Sequence, residues 1–133
     1  MGSGLEFDCA VLTLNEAGLS ADALNLNRPS DDEPHSVSIA LARSTSHVDV
    51  IVYRGLCPTG GYDINVEDVQ FRSEEDEFTI TVSLVDPGPD DFVTMMLTRP
   101  TKVVRLRIDE LPAQYVSVRD VDGELKDRIE VSP

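Results

Sequence analysis

Catalysis by side chains needs a nucleophile with a base, or a set of converging metal ligands, and this chain offers few candidates for either. Cys57 is the one tempting nucleophile, because it sits in a turn, Gly55-Leu56-Cys57-Pro58-Thr59-Gly60-Gly61-Tyr62, and not within an apolar run. A cysteine nucleophile works with a base beside it. The histidines are His35, in a proline-rich stretch, and His47, ahead of the run that leads into the turn. That run, Val48 to Tyr53, reads as an extended strand, which carries His47 and Cys57 to opposite ends. No catalytic residue is assigned, and Cys57 reads as an incidental turn residue.

Asp86, Asp90 and Asp91, around Pro87-Gly88-Pro89, gather carboxylate oxygens and form a candidate weak cation site; the plainer alternative is a solvated acidic loop. Asp120-Val121-Asp122-Gly123 superficially matches an EF-hand loop. Setting Gly123 sixth places Val118 first and Ile129 twelfth, where oxygen donors are required, so that match fails. Asp122-Gly123 reads instead as a type I′ turn. Cys9, Cys57, His35 and His47 lack the close spacing of zinc ligands. Gly60-Gly61 opens a strand and not a helix, so it lacks the helix terminus that cradles phosphate. No cofactor is implied.

What the glycine turn offers is a surface. Adjacent glycines mark a backbone that needs positive φ or the close approach of another group. Thr59, Gly60, Gly61 and Tyr62 are therefore the candidate partner-binding residues. Tyr62 either packs over the turn or serves recognition, a use tyrosine favours at interfaces.

The elements that must position this turn read as strands. Phe7 to Leu14 is an apolar run followed by turn residues Asn15 to Gly18, and Ser20 to Leu26 could form one helical turn. Asn27 to His35, with two prolines and three acids, is a loop. Val37, Ile39 and Leu41 alternate with small residues, as a half-buried strand does. Val48, Val50 and Val52 repeat the pattern with Ile51 and Tyr53 on the other face, which predicts cover on both sides. Tyr62, Ile64 and Val66 pair through an acidic loop with Phe78, Ile80, Val82 and Leu84, whose partners Thr79, Thr81 and Ser83 suit solvent. Phe92 to Leu97, nearly all apolar, reads as a strand buried on both faces. Lys102 to Ile108 reads as an edge or half-exposed strand, and Tyr115 to Val131 as an added terminal hairpin over 114–131.

About eight short strands with frequent turns make an all-β sandwich or partly open barrel, mostly antiparallel. The 133 residues fit one domain over 7–133 behind a short N-terminal segment, 1–6, that reads as an expression scar or a disordered N-terminus. Val50, Val52, Ile64, Val66, Ile80, Val82, Leu97 and Val104 are the predicted core. With no tryptophan and 5% aromatic residues, that core rests on Val, Ile and Leu.

Twenty-five acidic residues against 11 basic ones give a formal charge of −14, which repels phosphate backbones and anionic membranes alike. Nucleic acid is excluded as a partner on that ground. Only Lys102 and Lys126 are lysines; an acid-rich, lysine-poor chain fits either a salty environment or a GC-rich genome. No apolar run reaches the roughly 18 residues of a membrane-spanning helix. Cys9 and Cys57 allow one disulfide or two thiols.

Four landmarks in order resemble the PrcB C-terminal domain family, named for a protease complex subunit. They are the Thr59-Gly60-Gly61-Tyr62 turn, the Pro87-Gly88-Pro89 loop, Thr98-Arg99-Pro100, and the closing strand Val103-Val104-Arg105-Leu106. The resemblance spans Val48 to Ile108. It implies a non-catalytic domain, secreted or at the cell surface, whose partner is another protein such as a secreted protease, for which it would act as accessory or assembly factor. A small-ligand or glycan-binding module using Tyr53 and Tyr62 with the acidic loop residues is the alternative, and an enzyme using Cys57 a more distant one.

Overall fold

The computed structural model describes residues 9–19, 35–43, 47–72, 74–96, 98–106 and 114–130, which build two four-stranded sheets facing each other. The first sheet contains β1 (Cys9–Leu12), β2 (Val37–Arg43), β3 (Val48–Arg54) and β6 (Thr101–Leu106) in the order β1-β6-β3-β2, all antiparallel. The second contains β4 (Asp63–Arg72), β5 (Glu77–Val85), β7 (Tyr115–Asp120) and β8 (Leu125–Glu130) in sequence order. Its β5–β7 pair is parallel and the others antiparallel. The result is an open sandwich among the described residues, as the alternating runs predict.

The core lies between the sheets. Val50, Val52, Ile64, Ile80, Val82 and Val104 are fully buried. Val66 is only partly buried at the core margin, and Leu97 lies outside the described residues. A β-bulge between Val66 and Asp68 resets the alternation of β4. One extra residue, Glu67, shifts the pattern by one, so that Val69 and Phe71 return to the face Ile64 and Val66 occupy.

β3 is buried along its whole length, as predicted. Its outer residues Ile51 and Tyr53 pack with Val103 and with Ala17 of a single helical turn, α1 (Leu14–Ala17). Turn chemistry alone was expected over Asn15 to Gly18. The helical turn forms because Thr13 caps Glu16 N–H while the Glu16 carboxylate accepts from Thr13 N–H, a reciprocal capping box.

Three expectations are corrected. β6 is interior, not an edge strand: it lies between β1 and β3, and its charges are matched where they stand. Arg105 grips buried Asp49 through two 2.9 Å bonds and donates to the Ala17 carbonyl, and Lys102 reaches Asp63 and the Ile64 carbonyl. The terminal hairpin is half of the second sheet and not a flap, with Val116 and Val118 in the core. Its turn is not type I′, which needs positive φ at both central residues. Gly123 alone is positive, at 91°, and the Asp120 carboxylate accepts the N–H groups of Asp122 and Glu124. The stretches read as a helical turn at Ser20 to Leu26 and as a loop before His35 lie outside the described residues.

The outer face of β5 also departs from a plain solvated pattern. Thr79 and Glu77 are buried there, with Glu77 bonded by Ser117, Thr79 and Arg128. Burial pushes the Glu77 carboxyl up, but these hydrogen bonds and the Arg128 charge outweigh it and hold the group below its usual value.

Candidate functional site

The apolar run Phe92 to Met96 is not a buried strand. It is loop backbone with Phe92 104% exposed, Met95 85% and Met96 66%. The short stretch between Pro89 and Thr98 must cross from the end of β5 in one sheet toward β6 in the other. The chain spends these residues on a connection, so their side chains find no facing sheet.

The glycine turn is what this loop rests on. Gly60 N–H donates to the Thr94 carbonyl at 2.9 Å. Gly61 has φ 89°, and a Cβ there would stand 2.9 Å from both Pro87 Cβ and Val93 Cγ1. Both reasons for a glycine thus coincide at position 61: a left-handed backbone and a neighbour in contact. Cys57 and Thr98 exchange backbone bonds of 2.7 and 2.9 Å, and the Thr98 hydroxyl donates to the Thr59 carbonyl at 2.8 Å. Within the loop, the Asp91 carboxylate accepts Gly88 N–H at 2.7 Å, and Asp91 N–H returns to the Gly88 carbonyl.

Beneath the loop lies Arg54, wholly buried at the end of β3. Its guanidinium donates to the carbonyls of Asp63 and Val85 and to Asp86 Oδ1, tying the start of β4 to the end of β5. It also stacks on the Tyr62 ring, 5.2 Å from the centroid. Asp86 receives a second contact from His35 Nε2 at 2.7 Å. Burial raises the Asp86 carboxyl, while the bonds from His35 and Arg54 and the Arg54 charge outweigh it and leave the group below its ordinary value.

The candidate residues therefore divide. Thr59, Gly60, Gly61 and Tyr62 come together, as a seat for the loop. Tyr62 is half-buried on Arg54, whereas Tyr53 is buried under Arg99, so the two rings do not form an open aromatic face for a glycan. Asp86, Asp90 and Asp91 are not brought together: Asp86 serves Arg54 and His35, Asp91 turns back to Gly88, and Asp90 faces solvent. No three His, Cys, Asp or Glu side chains among the described residues are placed to hold a metal ion.

Cys57 is buried, its thiol donates toward the Gly55 carbonyl, and burial pushes its pKa up, which disfavours the reactive thiolate. His47 stands by Asp49. The side chain of Cys9 lies outside the described residues. The exposed apolar residues missed in the sequence are Phe92, Met95 and Met96; the signal that could have found them is the shortness of their run between two proline-bearing segments.

No helix among the described residues is long and apolar enough to cross a membrane. No curated protein and no solved structure gives a significant match to the chain. The family model described as PrcB C-terminal matches residues 50–107, a span that begins in β3, takes in the glycine turn, the loop and Arg54, and ends just past β6. Over that span the chain is similar to the PrcB C-terminal family.

Proposed function

We propose that this domain is a non-catalytic, extracytoplasmic protein-interaction module that serves as an accessory or assembly factor for a protease. The observation that carries the reading is the loop of Phe92, Met95 and Met96, three large apolar side chains held in water on a braced backbone. Exposed aromatic and methionine side chains are favoured at interfaces, and clustered ones mark interaction sites. The family match supports the link to a protease complex. The Thr59 to Tyr62 turn acts in this reading by seating the loop and framing its base.

Photo-crosslinking tests it. A photoreactive residue placed at position 92, and in a control protein at the exposed position Gln70, is activated in cells of the source organism. The expected result is one protein linked from position 92 and not from position 70, with a secreted protease or its complex as the adduct. Identical adducts from both positions, or none, would refute the proposal.

A further inference from the structure

Asp90 and Asp91 immediately precede Phe92, and both are exposed, in a chain of net charge −14. Asp86, also exposed, stands at the same loop's base. Asp86 is paired with buried Arg54, so the acidic shoulder at the tip is that of Asp90 and Asp91. The tip thus presents an apolar centre with an acidic shoulder. Its backbone is fixed by Gly60 to Thr94, by Asp91 to Gly88 and by Thr98 to Cys57, so little ordering remains to be done on binding.

We propose that Phe92, Met95 and Met96 insert into an apolar pocket of another protein whose rim is lined by lysine and arginine. This rests on the protein-interaction function proposed for the domain and adds the chemistry of the partner. Phe92 is the anchor, a large side chain with few rotatable bonds. The methionines adapt to the pocket walls. Asp90 and Asp91 meet the basic rim, which steers the encounter and selects against acidic surfaces. A lipid surface is disfavoured, because inserting Phe92 would drag two carboxylates into the headgroup layer at a cost in hydration. A second copy is disfavoured because it would bring two acidic shoulders together.

The test uses the full chain and two fluorescent probes, an amphipathic leucine–lysine peptide and its leucine–glutamate counterpart, read by anisotropy. The leucine–lysine peptide is expected to bind, more weakly at ~0.5 M than at ~0.05 M NaCl. F92S is expected to weaken it by about tenfold or more, the scale of an interface anchor. Asp90→Asn with Asp91→Asn should weaken it by a smaller factor while keeping an acceptor for Gly88. Phe92 is fully exposed, so F92S keeps its melting temperature and any loss is one of binding.

Unchanged binding by F92S would reduce the effect to net charge and overturn the proposal, as would equal binding of the leucine–glutamate peptide. Partitioning onto phosphatidylcholine or phosphatidylcholine–phosphatidylserine vesicles that F92S abolishes would make the occupant a membrane. A dimer in light scattering that F92S abolishes would make it a second copy. Either result overturns the proposal. Crosslinking from position 92 to a protein, combined with failure of both peptides, would leave the interaction function standing and remove only the basic pocket.

Discussion

Replacing Gly61 by alanine tests whether the loop truly sits on the turn. Two costs arise, and the structure separates them. The first is conformational: φ of 89° is the left-handed region, which costs an L-residue roughly 1–2 kcal/mol. The second is steric. The new Cβ would lie 2.9 Å from Pro87 Cβ and from Val93 Cγ1, well inside the ~3.5–4.0 Å of relaxed carbon contact. A proline ring and a β-branched side chain yield little, so the loop must shift, at the roughly 1–3 kcal/mol typical of overpacking. Gly61→Ala should therefore cost about 2–5 kcal/mol in all.

Gly123 supplies the control. Its φ is 91°, nearly that of Gly61, yet a Cβ there meets nothing within 4 Å. Gly123→Ala should show the conformational cost alone, about 1–2 kcal/mol. Urea unfolding followed by circular dichroism gives both values. In melting temperature the difference is on the order of 3–5 °C per kcal/mol for a chain of this length. Adding Val93→Ala should recover part of the loss in Gly61→Ala and none in Gly123→Ala, a coupling a double-mutant cycle reads directly. Equal losses at the two glycines, with no coupling to Val93, would mean that the loop does not press on the turn. The account of the site would then fail.

Arg54→Met should destabilise by about 2–3 kcal/mol in urea unfolding, because it leaves the carbonyls of Asp63 and Val85 without their donor while exposed Asp86 keeps water; a loss below about 1 kcal/mol would show that water replaces the guanidinium there. Asp86 and Glu77 both titrate below their unfolded values, so their stabilisation is complete above about pH 4 and lost as pH falls through the lower folded values. Acid titration of stability should steepen below that point, and Glu77→Gln should flatten the slope; identical slopes would contradict the assignment. With a formal charge of −14, self-repulsion should ease as salt screens it, so the melting temperature should rise up to about 1 M NaCl, and a flat or falling curve would show repulsion to be minor.

Alternation made the sandwich legible wherever one face of a strand meets solvent and the other meets the core. Val48 to Tyr53 was readable even as a doubly covered strand, because Ile51 and Tyr53 fill the second face. The pattern failed where polarity and exposure part company. Lys102 and Arg105 suggest an edge, yet both charges are consumed inside the fold, by Asp63 and by Asp49. Thr79 suits solvent by type but shares a buried polar cluster with Glu77 and Ser117. Phe92 to Met96 failed in the opposite sense, since hydrophobicity measures the reward for burial and not whether a facing surface exists. A short crossing between sheets leaves no partner strand for it, and that depends on topology.

Apart from the closing strand Val103 to Leu106, whose Val104 and Leu106 belong to the core, the landmarks that carry the family resemblance behave differently from the alternating runs. Gly60 meets Thr94, Gly61 meets Pro87 and Val93, Thr59 and Cys57 meet Thr98, and Arg54 N–H donates to the Pro100 carbonyl. The glycines, prolines and threonines among them lie outside the apolar cluster between the sheets, and the register of neither sheet runs through them. Two sheets with these valines and isoleucines would pair without a Thr-Gly-Gly-Tyr turn. What the landmarks specify is the course of one connection: where it leaves β5, how closely it approaches the turn, and where it rejoins the first sheet at Thr98. The side chains at its tip take no part in that bracing. Residues 92, 95 and 96 can therefore change without disturbing the seat, and the seat can be broken by one methyl group at position 61 without touching the tip. A braced loop with independent tip residues is a scaffold for presentation, which is why binding should respond to Phe92 and stability to Gly61.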